Sequence, residues 1–250
     1  RFTVCPHWPL GKAPIFICAS ALTALDYYSR IRWKKQALFQ KYFCKRRNGK
    51  RTAAVASALQ SAQNNATLKE ISLGYKEITI QSIQHIQPFA CETLDAAGSR
   101  ALANAHKKLL LEARKVPLGI EKARCYGLDM QPLGGYKESS EPGTPVKIKV
   151  PNVDCIVIHS HPSGLTFSPD DLDAFSKNKT IRILTAVGND GSLYAIERTN
   201  NTDETTLENL TSLLMFDMNK ATTKAAVYDT LNTYFKEVQN YGIHYYAREN

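Results

Sequence analysis

The chain has no pair of cysteines in CxxC spacing; its six cysteines stand at 5, 18, 44, 91, 125 and 155. That absence argues against a cysteine-type zinc finger and against a dithiol redox motif. An even cysteine count does not by itself make a disulfide framework in a chain of 250 residues. Reduced thiols, as in a cytosol, fit at least as well. No apolar run reaches the roughly 20 residues that a membrane-crossing helix needs, so a membrane protein is not expected. The longest run, Ala13–Leu25, follows Lys12 and suits a buried helix. A secretion signal over residues 12–27 stays open, although no clean small-residue cleavage site follows it. Internal repeats and low-complexity tracts are also missing, which sets aside repeat architectures.

Acidic residues are missing between Arg30 and Arg51, where RIRWKKQALFQKYFCKRRNGKR carries ten Lys/Arg. Clustered cations bind polyanions by releasing their counterions, so nucleic-acid contact through residues 30–51 is one expectation. A solvated helix face is the other. The net charge of +9 owes much to this run and says little about the rest of the chain. What is present in ordinary amounts is core-forming material: 43% hydrophobic and 22% charged residues, enough for one large domain or a compact domain with an accessory segment.

Residues 1–66 are Ala-, Gln- and Lys-rich and read as a basic helical segment. Residues 67–95 alternate in part (ISLGYKEITIQSI) and suit one or two strands or a connector. From there the pattern sharpens. Apolar residues at helical spacing predict a helix over 96–114, closed by Pro117 and Gly119. Strands are predicted near 120–129, at 146–150 (VKIKV, strict alternation) and at 155–159, where four consecutive apolar residues call for cover on both faces. A helix from Ser168 to 177 follows. Residues 181–187 and 192–198 form a hairpin about Asn189-Asp190-Gly191. From Glu204 the chain reads as two helices with an aromatic-rich end. This order predicts an α/β (α+β) fold with a mixed, curved sheet flanked by helices, divided as 1–66, a main domain over 67–203, and C-terminal helices over 204–250.

The chemistry concentrates in HSHPSGLTFSPDD, His159–Asp171. Two histidines at i and i+2 on a strand end point to one side, so both imidazoles can reach one ion. A carboxylate from the next helix makes a third ligand and leaves a fourth position for water, the pattern of a catalytic zinc site. Zinc lowers the pKa of its water to about 7. Ser168-Pro169-Asp170-Asp171 is at the same time a well-formed helix start, with a serine N-cap, proline at the first position and an acid at the third. The two roles are compatible.

His159-x-His161-Pro162 followed by Ser168-x-x-Asp171 resembles the JAMM (MPN+) metalloprotease motif, whose members include deubiquitinating isopeptidases. Six residues separate His161 from Ser168, one fewer than the usual pattern, which keeps Asp170 beside Asp171 as the carboxylate ligand. In wording the stretch is most similar to prokaryotic and phage JAB-like domains attached to head-morphogenesis proteins. The resemblance covers about residues 75–200. It implies a JAB/MPN-like (cytidine-deaminase-like) sheet, a zinc held by His159, His161 and Asp171, and cleavage of a peptide or isopeptide bond in a protein or peptide substrate. It also implies a glutamate on the first strand that takes a proton from the zinc-bound water and passes it to the leaving amine. Glu121 occupies that place, ahead of Glu112 on a helix and Glu138 and Glu141 in a loop. Ser168 would by the same resemblance support the developing oxyanion; as a plain N-cap it would be worth ~1 kcal/mol. Ser160 reads as packing, and His7, His85, His106 and His244 as surface or core residues. A phage head-associated module with possible DNA contact, and a RadC-like protein linked to DNA repair, are the competing readings.

Overall fold

The computed structural model describes residues 74–249. The basic run 30–51, the possible signal over 12–27 and the segment 1–66, expected to be helical, lie outside the described residues. Within them, α1 (Ile80–Gln84) and α2 (Ala96–Ala113) precede β1 (Lys122–Gly127), β2 (Lys137–Glu138) and β3 (Cys155–His161). Then come α3 (Pro169–Lys177), the hairpin β4 (Ile181–Gly188) and β5 (Leu193–Arg198), α4 (Glu204–Met218), α5 (Lys224–Val238) and β6 (Ile243–Arg248). The six strands form one mixed sheet in the order β2-β1-β3-β4-β5-β6. Only β3 and β4 are parallel; a parallel pair requires a crossover, which α3 supplies.

β3 lies between β1 and β4, and all seven of its residues are buried, as its apolar run requires. Its side chains alternate between two cores. Cys155 and Val157 join Phe167, Leu172 and Phe175 and the inner faces of α4 and α5. Ile156 and Ile158 join Leu102, Leu109 and Leu110 of α2, with Ile83 and Ile86. By the same parity His159 and His161 fall on the α3–α5 face, while Ser160 is buried on the α2 face, its Oγ accepting the Lys122 N–H at 2.9 Å. The segment 204–250 shares the first core and returns to the sheet as β6, paired antiparallel with β5.

Each helix starts where a capping side chain meets an apolar stripe. Asp95 accepts from Gly98 N–H ahead of α2, Asp203 from Thr206 ahead of α4, and Thr223 from Ala226 ahead of α5. Arg198, 1% exposed, ties three elements together. Its guanidinium donates to the carbonyls of Phe175 at 2.7 Å and Ile181 at 2.8 Å, and pairs with Glu204 at 2.9 Å.

Two expectations are corrected. Residues 80–84 are helical, not extended, because Thr79 and Ser82 form a reciprocal capping box and Ser82 and Ile83 are buried. Residues 146–150 keep alternating burial, with Ile148 and Val150 packed on the core, yet carry no ladder bonds. The strand beside β1 is instead the two-residue β2. No helix among the described residues is long and apolar enough to cross a membrane.

Candidate metal centre

His159 and His161 stand at the C-terminal end of β3, where the chain leaves a parallel strand for a crossover, the place where open α/β sheets bind ligands. Their Nε2 atoms are 2.9 Å apart. Asp171 faces both, with Oδ1 3.4 Å from His159 Nε2 and Oδ2 3.3 Å from His161 Nε2. A tetrahedral ion bound at about 2.0–2.1 Å to each of three donors separates them by about 3.3 Å. The two imidazole nitrogens and the carboxylate lie near that spacing, each nitrogen facing a different oxygen of Asp171, and they are the one group of potential ligands among the described residues. Asp171, and not the exposed Asp170, completes it.

The local chain prepares these donors. His161 Nδ1 donates to the Leu165 carbonyl at 2.8 Å; a carbonyl only accepts, so the outer nitrogen carries hydrogen and Nε2 faces the other two ligands. Ser168 caps α3, accepting the Asp171 N–H through Oγ at 3.2 Å while giving its hydroxyl proton to Asp171 Oδ2 at 2.6 Å. The Ser168 N–H adds a second bond to the same oxygen at 2.8 Å. The hydroxyl therefore orients the carboxylate in this arrangement.

Electrostatics single out the same point. Burial alone would lower the pKa of His161, but the bonded and adjacent Asp171 outweighs it and pushes the value up to about 9. Burial alone would raise the Asp171 carboxyl, yet the two imidazoles hold it well below the usual carboxylate range. Three donors converge on a place that favours positive charge, which a proton or a metal cation can supply.

Glu121 immediately precedes β1. Ala123 is directly across from His159, so two residues back Glu121 comes level with His161 on the same sheet face. Its Oε2 accepts the Val146 N–H at 3.2 Å, and burial pushes its carboxyl up from the ordinary value despite the nearby imidazoles. The other carboxylates weighed for this place lie elsewhere: Glu112 pairs with Lys115 at 2.6 Å, Glu138 with Lys122 at 2.8 Å, and Glu141 is exposed. Glu121, His161, Ser168 and Asp170 together line one cleft of about 500 Å³.

Of the remaining described histidines, His106 is buried on α2, bonded to Thr185 at 2.9 Å. His85 is exposed, and His244 lies 3.7 Å from Glu92. Sequence reasoning passed over the residues that brace the ligand loop. The Lys76 N–H donates to the Pro162 carbonyl at 2.8 Å, Asn189 Nδ2 to the Lys76 carbonyl at 2.8 Å, and the Asn189 N–H to the His161 carbonyl at 3.1 Å. The Lys76 ammonium pairs with Asp190, and Ser192 Oγ donates to the Gly164 carbonyl at 3.1 Å. Gly164 has φ +72°, and a Cβ there would lie 2.6 Å from the Asp190 carboxylate. In the sequence, Asn189-Asp190-Gly191 signalled only a turn.

Comparison with known proteins gives no matching family model, no matching curated protein and no matching solved structure.

Proposed function

We propose that this chain is a zinc-dependent hydrolase of the JAMM/MPN+ type that cleaves a peptide or isopeptide bond. The observation that carries the reading is the convergence of two Nε2 atoms and one carboxylate within reach of a single ion, on the sheet face that also bears Glu121. His159, His161 and Asp171 would hold the ion. Zinc, when bound, supplies a Lewis acid that makes hydroxide available near neutral pH.

The residues of the chain do the rest. Glu121, with its raised pKa, accepts a proton from the attacking water and returns it to the amine nitrogen as the C–N bond breaks. The water oxygen stays on the acyl carbon, so one water is consumed, giving one carboxylate and one amine. Ser168 holds Asp171 in its ligand orientation. The backbone N–H of Ser168 also binds that carboxylate, so the hydroxyl proton can turn to a substrate carbonyl oxygen at modest cost.

Purified protein is expected to carry about one zinc per chain by elemental analysis, as three protein ligands and one open position imply. His159→Ala and His161→Ala should lose it while keeping the fold. Glu121→Gln should keep zinc and stability and lose roughly 10²-fold or more in peptide turnover. Wild-type protein that takes up no zinc when it is offered would end this reading; Glu121→Gln with undiminished turnover would remove Glu121 from the proton transfer.

A further inference from the structure

The cleft does not stop at the ligands. Beyond Phe167 and Ser168 it runs on between α4 and α5, where Met215, Met218, Val227, Tyr228 and Leu231 form its walls. Met218, Val227 and Leu231 also belong to the first core, so their inner surfaces are anchored. Met215 and Tyr228 are half-buried. Among the lining residues the acids and the imidazole are Glu121, His161 and Asp170, none of them on α4 or α5. A cleft of about 500 Å³ falls within the range of small-ligand sites, in which apolar walls give affinity and a few polar groups fix orientation. Thioether side chains let such walls adapt to differently shaped apolar groups.

The polar end sets the direction in which a substrate lies. Glu121 must reach the leaving nitrogen, so the amine half belongs on its side, beside Tyr75 and Gly119. Ser168 begins α3, whose Leu172 and Phe175 pack in one core with Leu214 and Met218 of α4 and Val227 and Leu231 of α5. A carbonyl oxygen at Ser168 therefore turns the acyl residue's side chain toward α4 and α5.

Resting on the hydrolase reading above, we infer that the α4–α5 end of the cleft selects a substrate with a bulky apolar side chain, aliphatic or aromatic, on the residue that contributes the scissile carbonyl. An Asp, Glu or Lys side chain there exchanges its hydration for mostly apolar walls, in which the Asn219 amide and the Tyr228 hydroxyl are the polar side-chain groups. Glycine leaves the apolar walls unfilled.

The test uses the full chain loaded with zinc and a series of N-acetyl aminoacyl hydroxamates bearing Leu, Phe, Gly, Asp or Lys side chains. Their affinities are measured by calorimetry, and a peptide library is digested in parallel and read by mass spectrometry. The Leu and Phe compounds should bind about ten-fold or more tighter than the Gly and Asp compounds, the scale a few buried methylenes provide. Cleavage should favour the same residues on the acyl side. Met215→Glu on α4 should erase that ranking and favour Lys, with zinc content unchanged; Tyr228→Glu on α5 gives the same readout from the other helix. Apolar-selective binding without any cleavage would uphold the apolar selectivity of the α4–α5 end and remove the hydrolase reading. Cleavage or binding that ignores the side chain, or an identical ranking in both variants, would overturn the inference and leave the hydrolase reading in place.

Discussion

His106 offers a measurement whose size follows from its surroundings. It sits on the inner face of α2 with no exposed surface, and its Nε2 meets Thr185 Oγ1 at 2.9 Å. Its Nδ1 is buried without a hydrogen-bond partner. A neutral ring tolerates that arrangement; an imidazolium would bury a charge and an unpaired N–H. Burial accordingly lowers its pKa from 6.5 to about 3. Between those values the unfolded chain binds a proton that the folded chain refuses, so stability is fully present above pH 6.5 and falls as the pH drops toward 3. The slope is about 1.4 kcal/mol per pH unit. Between pH 7.5 and pH 5 this amounts to about 2 kcal/mol. Other groups titrate in the same range, so the quantity to read is the difference between wild type and His106→Gln in urea unfolding across that interval. Whatever the variant costs at pH 7.5, its disadvantage should shrink by about 2 kcal/mol at pH 5. A difference constant to within about 0.5 kcal/mol would show that His106 charges freely in the folded protein, and the reasoning from burial would fail.

Arg198→Met should destabilise the domain by about 3–5 kcal/mol, because it strands Glu204 and two buried carbonyls; a calorimetric loss below about 1 kcal/mol would contradict the tie described for α3, β4 and α4. Asp171→Asn should weaken zinc binding by at least the roughly 10- to 100-fold that supporting residues of metal sites are worth, whereas Asp170→Asn should leave it unchanged; titration against a zinc-sensitive dye distinguishes them, and the reverse order would reassign the ligand.

Much of the candidate metal centre was legible because it is local. His159, His161 and Asp171 span thirteen residues, and strand parity with a capping pattern suffices to bring them together. Glu121 needed one long-range step, the β1–β3 register, which the resemblance supplied and residue pattern alone did not. Burial on both faces of β3 was legible from four apolar residues, and the β4–β5 hairpin from its turn. The misses have physical reasons. The alternation around Ile78 and Ile80 suggested a strand, but the Thr79–Ser82 capping box set a helix there. The alternation in 146–150 records one side laid on the core and not a ladder. β6 was hidden in the aromatic-rich end; it follows Gly242 at φ +76° and pairs only with β5, far back in the chain. The α4–α5 wall of the cleft lies some fifty residues beyond the motif, and no spacing rule ties Met215 or Tyr228 to His161.

The brace over the ligand loop has a consequence for how the site assembles. Zinc's proposed donors are twelve positions apart at most, whereas Lys76 and Asp190 are 114 apart. Closing the longer loop costs about 2 kcal/mol more chain entropy, and contacts of such separation form late. If the proposed zinc site is right, a folding chain can capture the ion while the brace is open, and Tyr75, next to Lys76, takes its place along the cleft only afterwards. On partial unfolding the order reverses: the molecule would keep its zinc and first lose the shape that decides what it accepts.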